Sequence, residues 1–291
     1  MSETMQITAI LPYFGGKRTL ASRIVEELGP HSAYWEVFGG SLAVLMAKPQ
    51  CPMESVCELH GDVVNLARIV QDGKLAPQLY RRLRRVWMCE LLFDEAVARI
   101  AKPFTAAEPD VDRATDYMIV SWMGRNGIAG TAKSNASFSV RHTQGGGSSV
   151  TRWRTAVDSI PGWRRRMRNV AILHRDAFEV LAKLRDEPGT AIYADPPYLP
   201  ESMTGSRGYF HDFTSEDHDR LAAALIRFRK ARVVLSYYDH PRLDALYPDW
   251  TKRCLKTNKG LGNSTRGAKR TPAPEVLLIN GPSLVEGGRL F

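Results

Sequence analysis

The sequence predicts an α/β fold: a mostly parallel, doubly wound sheet with a mainly helical insertion that contains a β-hairpin. Three observations predict it. Short apolar runs alternate with helix-period stretches near both ends of the chain, the pattern of strands joined by crossover helices. One run, Ala191-Ile-Tyr-Ala, stops abruptly on Asp195-Pro-Pro-Tyr198, as a strand does where it meets a ligand-bearing loop. Between them the alternation gives way to mostly helical sequence, so the sheet is expected in two parts, residues 1–74 and 171–291, around an insertion at 75–170.

The elements follow in order. Leu20, Ile24, Val25 and Leu28 place a helix after Lys17, and a short strand follows over 34–38. The turn Gly39-Gly40-Ser41 leads into a helix through Leu45. A strand over 56–59 precedes a helix from Asp62, on which Val63, Leu66, Ile69 and Val70 share one face. Helical sequence runs from Leu75 to about Trp122. Gln144-Gly-Gly-Gly-Ser-Ser149, after the alternating Phe138-Ser-Val140, reads as a hairpin tip. Then come a strand over 170–173, a helix over 177–184, a strand over 191–193, a helix over 217–228 and a strand over 233–236. A second glycine-rich loop at 260–267 precedes an apolar run over 276–279.

Composition narrows the function classes. The chain has 291 residues, 44% hydrophobic and 24% charged, with a net charge of +9. That excludes disorder throughout and an acidic solvating tail. No apolar run approaches the roughly 18 residues a membrane span needs, and residues 1–11 lack a signal peptide's basic start and apolar core, so a cytoplasmic protein is expected. Cys51, Cys57, Cys89 and Cys254 form no C-x-x-C pair, and Cys57 with His60 has no second pair to complete a zinc site. Reduced thiols and no metal are expected.

The positive charge is concentrated. Residues 75–119 are neutral, whereas 120–170 carry Arg125, Lys133, Arg141, Arg152, Arg154, Arg164, Arg165, Arg166 and Arg168 against Asp158 alone, a net of +8. Trp122, Phe138, Trp153 and Trp163 are interleaved with them. Arginines neutralise phosphates and aromatic rings stack on bases, so this segment is a candidate nucleic-acid surface. A solvated charged face with its tryptophans in the core is the plainer alternative.

Chemistry concentrates in the flanking parts. After the apolar strand, Pro196 and Pro197 fix two φ angles and remove two N–H donors, leaving the Asp195 carboxylate and the Pro196 carbonyl as acceptors in a rigid frame. That suits a donor-only partner such as an exocyclic amine, with Tyr198 as an aromatic surface for a flat heterocycle. In Tyr34-Trp-Glu36-Val-Phe38-Gly39-Gly40-Ser41 the glycines allow close approach of a nucleoside to backbone. Glu58 ends the next strand, where an acid commonly accepts from ribose hydroxyls. Tyr13, Phe14 and Lys17, in Pro12-Tyr-Phe-Gly-Gly-Lys17, offer stacking and a cation. Each motif alone is also compatible with an ordinary turn or surface residue.

Together these motifs resemble the DNA adenine N6-methyltransferases of the Dam type, especially phage-borne members. The resemblance runs through Phe14-Gly-Gly-Lys17, Glu36-Val-Phe-Gly-Gly40, Glu58 with Asp62 and Asn65, Asp195-Pro-Pro-Tyr198, Phe213-Thr-Ser-Glu-Asp-His218, Val233-Val-Leu-Ser236 and Glu275-Val-Leu-Leu278. It implies a Rossmann-like methyltransferase sheet that binds S-adenosylmethionine. Tyr13, Phe14 and Lys17 would border its methionine part, Phe38, Gly39 and Gly40 would lie beside it, and Glu58 would hold its ribose. Asp176 and Phe178 would meet its adenine, and Asp195 would border both cofactor and target.

It also implies transfer of a methyl group to N6 of a flipped-out adenine in double-stranded DNA, with Asp195, Pro196, Pro197 and Tyr198 catalytic and no obligatory protein partner. The insertion becomes the DNA-recognition domain, with Arg125, Asn126, Lys133, Arg141, Arg152, Arg154, Arg164, Arg165 and Arg168 as its contacts. Restriction–modification is a family setting. Three positions depart from the pattern: Leu42 replaces a frequent glycine, Glu58 a frequent Asp, and Asn126-Gly-Ile-Ala-Gly130 lacks the final Arg of GATC readers. N4-cytosine methylation, an RNA substrate and a catalytically inactive DNA-binding relative are the competing readings, distinguished by the base modified and by Asp195.

Overall fold

The alternation of strand and helix signals becomes, in the folded chain, α1 (Ala21–Leu28), β1 (Ala33–Glu36), α2 (Ala43–Ala47), β2 (Met53–Glu58) and α3 (Gly61–Gln71). A helical stretch follows: α4 (Leu75–Arg85), α5 (Glu90–Ile100) and α6 (Val111–Met123). The short strands β3 (His142–Thr143) and β4 (Gly147–Ser148) come next, and then α7 (Ser149–Asp158) and α8 (Ile160–Met167). The chain returns to the sheet through β5 (Val170–His174), α9 (Ala177–Lys183), β6 (Thr190–Ala194), α10 (Ser215–Ile226) and β7 (Arg232–Tyr238). It ends with α11 (Arg242–Leu246), β8 (Thr251–Asn258) and β9 (Pro272–Ile279). The computed structural model describes residues 9–13, 16–124, 137–140, 142–143, 147–199, 202, 213–258 and 272–285.

Seven strands form one sheet in the order β5-β2-β1-β6-β7-β9-β8. The first five are parallel; β9 enters antiparallel between β7 and β8. Period two explains how one apolar strand serves two layers. Ala191 and Tyr193 of β6 join the cluster formed with α1 to α8, while Ile192 and Ala194 join the opposite cluster with α9, α10 and α11. Every residue of β6 is therefore buried.

The antiparallel hairpin is present as His142 opposite Ser148 and Thr143 opposite Gly147. Four elements went unread in the sequence: α7, α8, α11 and β8. The edge strand β8 carries Lys252, Arg253, Lys256 and the exposed Cys254, so its apolar signal is weak. In α7 and α8 the arginines mask an apolar stripe, Trp153, Ala156, Val157, Ile160, Trp163 and Met167, all buried. Trp122 is buried too, its Nε1 donating to the Ile10 carbonyl at 3.2 Å. These three tryptophans are core, and the stacking reading is corrected for them.

No helix among the described residues is long and apolar enough to cross a membrane.

Candidate active site

The strand order places the topological switch point between β1 and β6, whose crossovers leave toward opposite sides of the sheet. Loops from the carboxyl ends of β1, β2, β5 and β6 wall a cavity of about 200 Å³ there. β1 supplies Phe38, Gly39 and Gly40; β2 supplies Glu58; β5 leads to Asp176 and Phe178; β6 leads to Asp195, Pro196 and Pro197. Tyr13 and Lys17 close one side, and Phe213 with Arg220 another. Residues separated by more than 180 positions in sequence thus line one space. Phe14, expected beside them, lies outside the described residues.

The acceptor end is a buried charge cluster. Lys17 Nζ stands 2.8 Å from Asp195 Oδ1 and 3.4 Å from Glu275 Oε1, and 4.9 Å from the centroid of the Tyr198 ring. Tyr198 is buried: its hydroxyl donates to Glu275 Oε1 at 2.7 Å, and its ring meets Tyr238 edge-on at 4.5 Å. Burial pushes the Asp195 carboxyl up to about 6; the Lys17 ammonium holds it down and the Glu275 charge adds to the rise. Asp195 thus changes charge near neutrality. Beneath it Glu36, fully enclosed, accepts from the Tyr34 hydroxyl at 2.7 Å and from the Leu45 N–H at 3.0 Å, and burial lifts its carboxyl to about 8.

The other end suits a nucleoside with an acidic and aromatic frame. Glu58 accepts from the N–H groups of Gly40 at 2.6 Å, Leu59 at 2.8 Å and His60 at 2.7 Å. A carboxylate has about four lone-pair sites, so its Oε2, which among the described residues holds Gly40 alone, keeps room for a hydroxyl. Asp176 caps α9 through Oδ1 and the Phe178 N–H at 2.7 Å, leaving Oδ2 for a ligand. Phe178 and Phe213 lie parallel with centroids 6.0 Å apart, Phe38 meets Phe213 edge-on, and Arg220 covers Phe178 at 4.1 Å.

Two backbone positions shape the glycine turn. A Cβ on Gly39 would come within 3.1 Å of Leu42 Cδ2 and 3.3 Å of the Cys57 carbonyl, so the close passage of the two loops needs glycine. Leu42 adopts φ 57° and ψ 29°, the left-handed region where glycine is favoured. Its side chain is fully buried, which holds the strained backbone in place.

Other motif residues serve the scaffold. His60 Nδ1 caps α3 by accepting from the Asp62 N–H, the Asp62 carboxylate pairs with Arg113 at 2.6 and 2.9 Å, and Asn65 pairs with the backbone of Asp110. Sequence reasoning missed the roles of Glu275 and Phe213. The signal for Glu275 was a lone acid abutting the apolar run over 276–279; Phe213 directly precedes the Thr214 capping box of α10.

The expected DNA contacts divide. Arg125, Asn126, Lys133 and Arg141 lie outside the described residues. Arg152 and Arg154 are exposed on α7, Arg164 and Arg165 on α8, and Arg168 just after it. Partial burial and then the Arg152 charge lower the pKa of Arg18, so α7 comes near the segment that precedes α1. Arg154 stacks over the exposed Trp87 at 5.2 Å. By contrast α8 leads into the start of β5, at the amino ends of the parallel strands, away from the carboxyl ends that wall the cavity. Arg166, one of the +8 set, is half-buried, bonded to Glu54 at 2.5 and 2.9 Å and to the Leu45 carbonyl at 2.7 Å. It is a scaffold residue, which corrects its place among residues facing a nucleic acid.

Fold and site together define a Rossmann-like α/β protein with a cavity at its switch point and an acidic residue beyond β6. The chain belongs to the D12 class of N6 adenine-specific DNA methyltransferases, whose family model matches residues 13–259. It is 24% identical to the Retron Ec67 DNA adenine methylase of Escherichia coli, over 94% of this chain and 92% of that one. It is 23% identical to a DNA adenine methylase of Vibrio cholerae serotype O1, over 95% and 97% respectively. Among solved structures, an rRNA methyltransferase from Streptomyces viridochromogenes superposes with a TM-score of 0.41 at 13% identity, over 99% of this chain and 96% of that one.

Proposed function

We propose that the protein transfers a methyl group from S-adenosylmethionine to N6 of an adenine flipped out of double-stranded DNA. The observation that carries this reading is Asp195, partly buried beyond β6 in its Pro-Pro frame at one end of a cavity whose other end is Glu58, Asp176 and Phe178. When bound, S-adenosylmethionine supplies an electrophilic methyl on a sulfonium, whose carbon–sulfur bond breaks as the carbon–nitrogen bond forms. Glu58 and Asp176 retain acceptor sites for ribose hydroxyls and an adenine amine, and the Phe178 face suits a purine. Gly39 lets the turn pass close to Leu42 and the Cys57 carbonyl, which sets Gly39 and Gly40 in the cavity wall.

The chain's task at the target end is positioning. Adenine N6 is a weak nucleophile because its lone pair is delocalised into the ring. Asp195 and the Pro196 carbonyl accept its two hydrogens, favour a pyramidal nitrogen and direct the lone pair at the methyl. Pro197 keeps the frame rigid, and Tyr198, whose ring lies under Lys17 in the structure, becomes the surface on which the base stacks once that cation is displaced. Once methylation has made the N6 proton acidic, it passes to the Asp195 carboxylate and on to water, so Asp195 needs ionised oxygens rather than high basicity. The exposed arginines of α7, Arg152 and Arg154, contact DNA phosphates; Arg164, Arg165 and Arg168 add to the field around them. The protein acts in the cytoplasm, without a membrane or an obligatory protein partner.

The test is incubation with unmethylated duplex DNA and S-adenosylmethionine, followed by mass spectrometry of the nucleosides. N6-methyladenine is expected. N4-methylcytosine, or no methylated base, overturns the reading.

A further inference from the structure

Lys17 stands between two carboxylates, and the proposed chemistry uses only one. Its ammonium is 2.8 Å from Asp195 Oδ1 and 3.4 Å from Glu275 Oε1, with side-chain exposures of 5% for Lys17, 20% for Asp195 and 13% for Glu275. Glu275 comes from β9, the antiparallel strand, where it faces Tyr238 of β7 and Leu255 of β8. The same Glu275 oxygen accepts the Tyr198 hydroxyl at 2.7 Å. As the structure stands, Lys17 occupies the acceptor that an incoming amine needs. A donor bonded to Asp195 and an ammonium on the same oxygen compete for its lone pairs and its charge.

We propose that Glu275 is a positioning residue that receives the Lys17 ammonium when the target amine binds Asp195, and that also fixes Tyr198 through its hydroxyl. The proposal rests on the methyl-transfer reading above. The geometry makes the exchange short: the ammonium already sits between both acids, and closing on Glu275 is a movement of less than the width of an atom. Burial makes a second seat necessary, because a lone carboxylate or ammonium left unpaired in this pocket is costly. With Glu275 present, the positive charge stays in the pocket while Asp195 is freed. The groups facing the two acids are Lys17 from the loop before α1, Glu36 of β1, Tyr193 of β6, Tyr198 after it and Tyr238 of β7.

Glu275→Gln tests this by keeping an oxygen for the Tyr198 hydroxyl while removing the charge. Lys17 then stays on Asp195. The expected result is a fall in kcat of about ten-fold or more, with the affinity for S-adenosylmethionine within about two-fold. The acid limb of the pH–rate profile moves to lower pH, because a charge that raises Asp195 has gone. Glu275→Asp keeps the charge at shorter reach, so its limb stays at the wild-type pH while kcat is reduced. A Glu275→Gln enzyme with unchanged kcat, or with a loss that leaves the limb in place, overturns the proposal. If Glu275→Gln does not unfold cooperatively, Glu275→Asp decides: reduced kcat with an unmoved limb supports the second seat, and unchanged kcat overturns it. Wild-type enzyme that methylates no adenine overturns the function itself, a result separate from either variant's.

Discussion

In the proposed reaction the chemistry converges on Asp195, and its charge state would set the pH at which the protein works. Raised by burial to about 6, it is ionised above that value and protonated below it. Single-turnover rates are expected to fall as pH drops through about 6; a flat profile down to pH 4.5 would show that ionised Asp195 oxygens are not needed. Glu36 has the opposite consequence, for stability. Its folded value of about 8 lies above the ordinary 4.5, so its contribution is full below about pH 4.5 and is lost as pH rises through about 8. Both described hydrogen bonds reach Oε2, which leaves Oε1 for the proton. Relative to wild type, Glu36→Gln is expected to gain about 2 kcal/mol or more in urea unfolding between pH 5 and pH 9. No relative gain would mean that Glu36 is ionised in the fold. At Leu42, left-handed backbone costs about 1–2 kcal/mol, whereas truncating a buried leucine costs about 3–5 kcal/mol. Packing therefore wins, and Leu42→Gly is expected to unfold at lower urea concentration than wild type.

At the scale of elements, α7 and α8 carry arginines of the same kind with different neighbours. Arg152 of α7 is exposed near Arg18, whereas Arg166 of α8 is tied to Glu54 at the amino end of β2. Arg152→Gln is expected to reduce the slope of log K against log salt for DNA binding by about 1 while leaving stability unchanged. Arg166→Gln is expected to do the reverse. Its loss of stability stays below the roughly 3–5 kcal/mol of an orphaned buried charge, because Lys48 still pairs with Glu54 at 2.5 Å. Equal salt slopes for wild type and Arg152→Gln would remove α7 from the DNA surface. Three consecutive arginines look alike in sequence. Only the fold, by bringing Glu54 to Arg166 across 112 positions, separates one of them as scaffold.

Across the whole molecule, what could be read from the sequence follows from how local each signal is. The β6 strand and its Asp-Pro-Pro-Tyr end were legible because an apolar run buried on both faces and a proline stop need no distant partner. The glycine turn and the period of α3 were legible for the same reason. Glu275 was not, since its meaning depends on β9 pairing antiparallel with β7 and facing the loop after β6. The tryptophans of the basic segment looked like a stacking surface until their helical spacing was seen to form the core beneath the arginines. The resulting picture is of an acidic, aromatic cleft in a parallel sheet, with arginine-bearing helices packed on one face. The most direct test of its central claim compares wild type with Asp195→Ala in transfer of a labelled methyl from S-adenosylmethionine to duplex DNA, with cofactor binding checked by calorimetry. Wild type is expected to label N6 of adenine and the variant to lose at least about 100-fold in rate while still binding the cofactor. Unchanged transfer by Asp195→Ala would contradict the account.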